Sequence, residues 1–140
     1  MADQKTVHAV WDKGWVCDVA MGEFGLRIDE PESVPGGTNL GPNPTEMLLG
    51  SVASCFTLAL SWAAKRKNVE LEHLLVDATG TYDGKKFGAI HIDAEIGCPL
   101  DMVDVLIAEA EEFCYVTNTI RGGADLSVSG TAHGESPDST

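Results

Sequence analysis

From residue 5 to residue 29 the hydrophobic positions alternate with polar ones. KTVHAVWD (5–12), WVCDVAM (15–21) and FGLRID (24–29) each repeat with a period of two, and Trp15, Cys17, Val19 and Met21 share one face of the second segment. That period marks half-buried strands, and three of them so close together predict an antiparallel meander. The alternation stops at PESVPGGTNLGPNP (31–44), whose four prolines and three glycines predict a loop of defined shape. A long helix is predicted next, from Pro44 or Thr45 to about Lys67. Pro44 suits its first position and Asn43 its N-cap. KRK at 65–67 suits the negative end of the helix dipole, and Asn68 suits a stop.

The period of two then returns. VELEHLLVDATGTYD (69–83) and KKFGAIHIDAEIG (85–97) flank Asp83-Gly84, a strong hairpin signal. Helical spacing of Val103, Leu106, Ile107 and Ala110 predicts a second helix from Asp101 to Cys114, with its glutamates outside the apolar stripe. ADLSVSGTAH (124–133) reads as a last strand, and residues 134–140 as a disordered tail. The pattern is that of a single α+β domain with its core between about residues 5 and 133.

Within the long helix, Met47 to Ala64 carries no charge. Its length is at the lower edge for a membrane span. Gly50, Ser51, Ser54, Thr57 and Ser61 dilute it, however, and strands that need a core lie on both sides, so no membrane role is expected. A helix apolar all round must be covered all round. A chain of 140 residues has little material for that. The expectation is a homodimer with this helix near its two-fold axis, small residues at 50, 51, 53 and 54 permitting close approach.

The net charge of −13 and the absence of a basic cluster argue against nucleic-acid binding. The polar N-terminus lacks an apolar targeting region, so a cytoplasmic, reducing location is expected. Cys17, Cys55, Cys98 and Cys114 form no CxxC pair, and no metal site is expected. His73 and His91, placed on facing strands of the hairpin, are a weak metal pattern. A cysteine on an apolar helix, such as Cys55, is more often a small buried hydrophobe than a reactive thiol. A helix N-terminus gives Cys98 a physical case as well, so spacing does not rank the four thiols.

Two segments add a resemblance. PNPTEMLLGSVASCFTLAL (42–60) resembles the signature helix of the osmotically inducible / organic hydroperoxide resistance (OsmC/Ohr) family, with its cysteine in Ala/Ser-Cys-Phe. AEEFCYVTNTIRGG (110–123) resembles the family's second motif, a helix ending in Cys followed by x-x-Ser/Thr-Asn. The loop and hairpin fall in matching order, and Tyr115, where proline is common, points to the OsmC-like branch. The resemblance implies antiparallel sheets around a long buried central helix in an intertwined homodimer. It also implies reduction of organic hydroperoxides through a disulfide cycle, in defence against oxidative stress. Cys55 would be the peroxidatic thiol and Cys114 the resolving one, reset by an external dithiol or lipoyl-type reductant without a cofactor.

In the family a Glu after the helix-opening Pro pairs with an Arg from the N-terminal strands. Here Thr45 follows Pro44 and the acid is Glu46, while Arg27 is the only arginine before the helix and Arg121 lies in the second motif. Glu46, Arg27 and Arg121 are therefore the candidates for supporting roles. Trp11, Trp15, Phe56 and Trp62 are candidates to line an apolar pocket. The alternative expectation is a non-peroxidatic dimer that binds a small apolar or sulfur-containing ligand in the same interface pocket.

Overall fold

The computed structural model describes residues 3–134. Strands β1 (His8–Lys13), β2 (Val16–Met21) and β3 (Phe24–Ile28) form an antiparallel meander in that order. Helix α1 (Pro44–Arg66) follows the proline-rich loop. Strands β4 (Leu74–Asp83) and β5 (Lys86–Ile96) pair as an antiparallel hairpin. A short 3-10 turn at Leu100–Met102 leads into α2 (Val103–Phe113), and α3 (Tyr115–Gly122) comes directly after it. The fold is α+β with antiparallel sheets and one long helix, as the sequence predicts.

The loop at 31–43 is ordered by one buried carboxylate. Asp29, 1% exposed, accepts hydrogen bonds from the backbone N–H of Glu30 (2.7 Å) and Leu40 (3.1 Å) and from the Thr38 hydroxyl. Trp15 Nε1 donates to the carbonyl of Pro35 at 2.9 Å. Gly41 passes so close to β3 that a Cβ there would collide with the carbonyl oxygen of Arg27. The loop therefore seats the start of α1 against the meander.

Helix α1 begins with a full capping box. Asn43 Oδ1 accepts from the Glu46 N–H (2.9 Å), and Glu46 Oε1 accepts from the Asn43 N–H (3.1 Å). It ends where Asn68 takes a left-handed φ of 55°. By length and composition α1 could cross a bilayer. Here one stripe of it, Val52, Phe56, Ala59, Leu60, Ala63 and Ala64, is buried. That stripe packs with Leu106, Ala110 and Cys114, flanked by Val76, Ile92 and Ala94 of the hairpin.

Within the chain α1 is left partly uncovered, the shortage of material that the sequence analysis anticipates: Leu48, Leu58 and Trp62 are 43%, 70% and 43% exposed. One expectation needs correction. Residues 124–132 form no strand, and Leu126 and Val128 are both 91% exposed. Their alternation suits a sheet edge, but the chain offers them no partner strand. The expected tail lies, except for residue 134, outside the described residues.

Candidate active site

The expected second helix ends at Cys114, where α2 closes, and a further helix that the sequence reading did not expect, α3, starts directly after it. At Cys114 the backbone becomes extended (φ −80°, ψ 103°), so this residue closes α2 and serves as the N-cap of α3. Its carbonyl accepts the first helical hydrogen bond of α3, from the Asn118 N–H at 3.0 Å. Asn118 Nδ2 braces the junction by donating to the carbonyl of Glu112 at 3.0 Å. The thiol of Cys114 is thereby held at the positive end of α3. Sequence reasoning missed this start. The signal for it was Thr117, three residues after Cys114, the spacing of a capped first turn.

Cys55, on α1, meets Cys114 there. Cys55 packs against the core cluster that contains Cys114, and each thiol shifts the ionisation of the other. The backbone N–H groups of Tyr115 and Val116 act on the Cys55 sulfur, and those of Val116 and Thr117 on the Cys114 sulfur. The Thr117 hydroxyl, itself buried, donates to the Cys114 carbonyl at 3.2 Å.

These surroundings separate the two thiols electrostatically. Burial pushes the Cys55 thiol up from its ordinary value and the neighbouring Cys114 pushes it further, against the opposing N–H groups. Burial also pushes Cys114 up, but its donors outweigh this: the Thr117 hydroxyl and N–H, the Cys55 thiol and the Val116 N–H hold it below its ordinary value. No cation figures among the strongest influences on either sulfur.

Accessibility runs the other way. Cys114 is fully buried, whereas Cys55 lines a cavity of about 620 Å³ together with Leu58, Ala59, Trp62, Phe113 and Tyr115. Glu112 and Asn118 are the polar groups in its wall. Trp62 and Phe113 meet edge to face at 4.6 Å, and the guanidinium of Arg66 lies 4.8 Å from the Trp62 ring centre.

The three supporting candidates are engaged elsewhere in the chain. Glu46 is held in the capping box of α1. Arg27 binds both carboxylate oxygens of Asp18 at 2.9 Å on the exposed face of the meander. Arg121 pairs with Glu111 at 3.0 Å. Of the four aromatic candidates only Trp62 lines the cavity. Phe56 belongs to the core, while Trp11 and Trp15 stand exposed on the meander side. Cys17 faces a separate hollow beside Val19, Ile28 and the first turns of α1, and Cys98 packs at the edge of the core. The two histidines do not pair: His73 binds Glu95 at 2.7 Å, and His91 sits opposite Thr79. Among the described residues no group of metal-ligating side chains converges.

Comparison with known proteins places this arrangement. Over 139 residues the chain is 29% identical to an uncharacterized protein of Haloferax volcanii, covering 94% of this chain and 99% of that one. Its fold is similar to the crystal structure of an OsmC-like protein from Mycoplasma pneumoniae (TM-score 0.75, 23% identity, 88% and 91% of the two chains). It is also similar to a putative organic hydroperoxide resistance protein from Vibrio cholerae, solved with captopril bound in one of its active sites (TM-score 0.63, 23% identity, 88% and 89% covered). Residues 37–129, which hold both cysteines, match the family described as OsmC-like protein, and the chain belongs to that family.

Proposed function

We propose that the protein is a thiol-dependent peroxidase that reduces organic hydroperoxides to alcohols. The observation that carries this reading is the meeting of Cys55 and Cys114, distant in sequence, beneath an apolar cavity at the start of α3. Cys55 is the attacking thiol because it lines the cavity, and Cys114 lies behind it as the resolving thiol. Attack of the thiolate on the O–O bond leaves a sulfenic acid and releases the alcohol. Condensation with the second thiol gives a disulfide and water, and an external dithiol or lipoyl-type reductant restores both thiols by exchange. The chemistry takes no metal or organic cofactor. An apolar wall favours organic peroxides over hydrogen peroxide, consistent with a role in oxidative-stress defence in the cytoplasm.

The uncovered stripe of α1 supports a homodimer, in which a second copy covers Leu48, Leu58 and Trp62. The test is consumption of cumene hydroperoxide with a dithiol reductant, beside Cys55→Ser and Cys114→Ser. Rapid turnover of wild type, lost in Cys55→Ser, is expected. A wild-type rate no faster than that of Cys55→Ser would overturn the reading.

A second reading has its own support. The cavity has the size and apolarity of a small-molecule site, and the Vibrio cholerae relative holds captopril, a thiol-bearing compound, in an active site. A protein without turnover whose melting temperature rises with captopril would be a binding protein for small sulfur-containing ligands.

A further inference from the structure

The peroxidase reading, on which this inference rests, leaves a requirement open. As the O–O bond breaks, the inner oxygen of the hydroperoxide becomes an alkoxide, and an apolar wall does nothing to stabilise that charge. Glu46, Arg27 and Arg121 are each bound elsewhere in the chain. Besides the Cys55 thiol, the cavity wall carries hydrogen-bonding groups on Trp62, Glu112, Tyr115 and Asn118. Trp62 only donates, and the Glu112 carboxylate only accepts. Tyr115, 84% exposed, donates and accepts through a single atom. Asn118 is the lining residue that carries donor and acceptor on separate atoms of one rigid plane. A hydroperoxide asks for that pair, because its terminal O–H donates and its inner oxygen accepts.

The amide of Asn118 is also anchored. Its Nδ2 donates to the carbonyl of Glu112 at 3.0 Å. A carbonyl only accepts, so this bond tells the nitrogen of the amide from its oxygen. The backbone N–H of Asn118 is held as well, by the carbonyl of Cys114 at 3.0 Å. Both bonds tie Asn118 to the junction of α2 and α3, where Cys114 lies. One N–H of the amide is spent on Glu112, which leaves the second N–H and the Oδ1 acceptor for a ligand. A donor whose direction is set before the reaction stabilises developing charge at no cost of reorganisation.

We propose that Asn118 is a catalytic residue whose amide binds the hydroperoxide across its O–O bond. Oδ1 accepts from the terminal O–H, and the free N–H of Nδ2 donates to the inner oxygen. The terminal oxygen is thereby presented to Cys55, which lines the same cavity from α1. Cys55 gives its proton to solvent, and its thiolate attacks the terminal oxygen. The S–O bond forms, the O–O bond breaks, and the bonding pair passes to the inner oxygen. The Asn118 N–H stabilises that oxygen as its charge develops. Water then protonates the alkoxide, and the alcohol leaves. The terminal oxygen stays on sulfur with its hydrogen, as the sulfenic acid. The peroxide has gained two electrons and the Cys55 sulfur has lost two, while Asn118 neither gains nor loses a proton. The same amide selects its substrate, since a dialkyl peroxide has no O–H to offer Oδ1.

The test compares two oxidants in the first turnover of the reduced Cys17→Ser/Cys98→Ser protein, where only the pair reports. From tert-butyl hydroperoxide an alkoxide must leave, whereas peracetic acid releases acetate, which needs little help. Asn118→Ala should slow the first by about a hundredfold and the second by less than about tenfold. Asn118→Asp, which keeps the shape and the acceptor but loses the N–H, should show the same inequality. Both rates come from one preparation, so their ratio is unmoved by any share of the variant that fails to fold. A brace at the junction, with no part in the chemistry, would slow both oxidants alike. Equal losses, or an Asn118→Asp protein with the wild-type ratio, would overturn the proposal. The two readings fail distinguishably. A wild-type protein that neither oxidant oxidises at Cys55 sinks the peroxidase reading and this inference with it, and turnover with equal losses sinks this inference alone.

Discussion

The two halves of this molecule are built to different standards of closure. The half made of α1, β4, β5, α2 and α3 has a closed core, in which Leu60, Ala63, Leu106, Ala110 and Cys114 are fully buried. The half made of β1, β2 and β3 has only Val16, Val19 and Ile28 buried, and every residue of β1 is exposed. Trp11 and Phe24 there are 71% and 77% exposed. The contrast teaches where the fold is self-sufficient. Two helices can seal one stripe of α1, whereas a lone three-stranded meander has one face to cover and too little chain to cover it. The site sits in the closed half but opens through the uncovered side of α1, by way of Leu58 and Trp62.

The largest effect should come from breaking the closed half. Leu60→Ala removes a fully buried side chain from the face of α1 that packs on α2. It should cost about 2–5 kcal/mol in urea unfolding. The matched change on the open half, Trp11→Ala, should cost far less unless a second copy covers that face. Its effect in the same assay therefore sharpens the comparison directly.

Next in size is Leu58→Asp. It places a charge on the uncovered stripe without touching the buried one. If that stripe is a dimer interface, sedimentation should shift from dimer to monomer, while the far-ultraviolet spectrum of the monomer stays native. An unchanged dimer would mean that another surface joins the copies.

A smaller effect tests the connection between the halves, the loop held by Asp29. Hydrogen bonds from Thr38, and then those from Leu40 and Glu30, outweigh burial and hold its carboxyl below the ordinary value. A carboxylate depressed in the folded state stabilises fully above its unfolded pKa, about 3.9, and that stability is lost as pH falls through the lower folded value. Stability should therefore fall as pH drops below about 4, and Asp29→Asn should flatten that part of the profile. The smallest effect should be that of Arg27→Ala. Its pairing with Asp18 is exposed, and exposed pairs contribute little. A large drop in melting temperature would show that Arg27 is covered in the assembled protein.

Much of this was legible in the chain because it depends on neighbours in sequence. Asn43, Pro44 and Glu46 lie within one helical turn, so the start of α1 could be read directly. Asp83-Gly84 set the hairpin, since Gly84 takes a φ of 63° that costs a residue with a Cβ. The pairing of Cys55 with Cys114 was available only through resemblance, because no local rule brings α1 to the end of α2. Helix α3 went unread because its eight residues, Tyr115–Gly122, carry few apolar positions to mark a stripe. Residues 124–133 failed as a strand because alternation shows only that a segment would suit a sheet, and not that an edge is present.

By itself, then, the sequence determined the meander, α1, the hairpin, α2 and the α+β class, and resemblance singled out the two cysteines. These follow from backbone preferences and from a periodicity that acts over a few residues. Only the tertiary structure decided that Glu46, Arg27 and Arg121 are engaged away from the thiols. It also decided that Cys55 and Cys114 meet where α1 packs on the start of α3, with Cys55 lining the cavity and Cys114 fully buried behind it. A site of this kind depends on side chains that converge in space, and convergence between distant segments leaves no mark in the local order of residues.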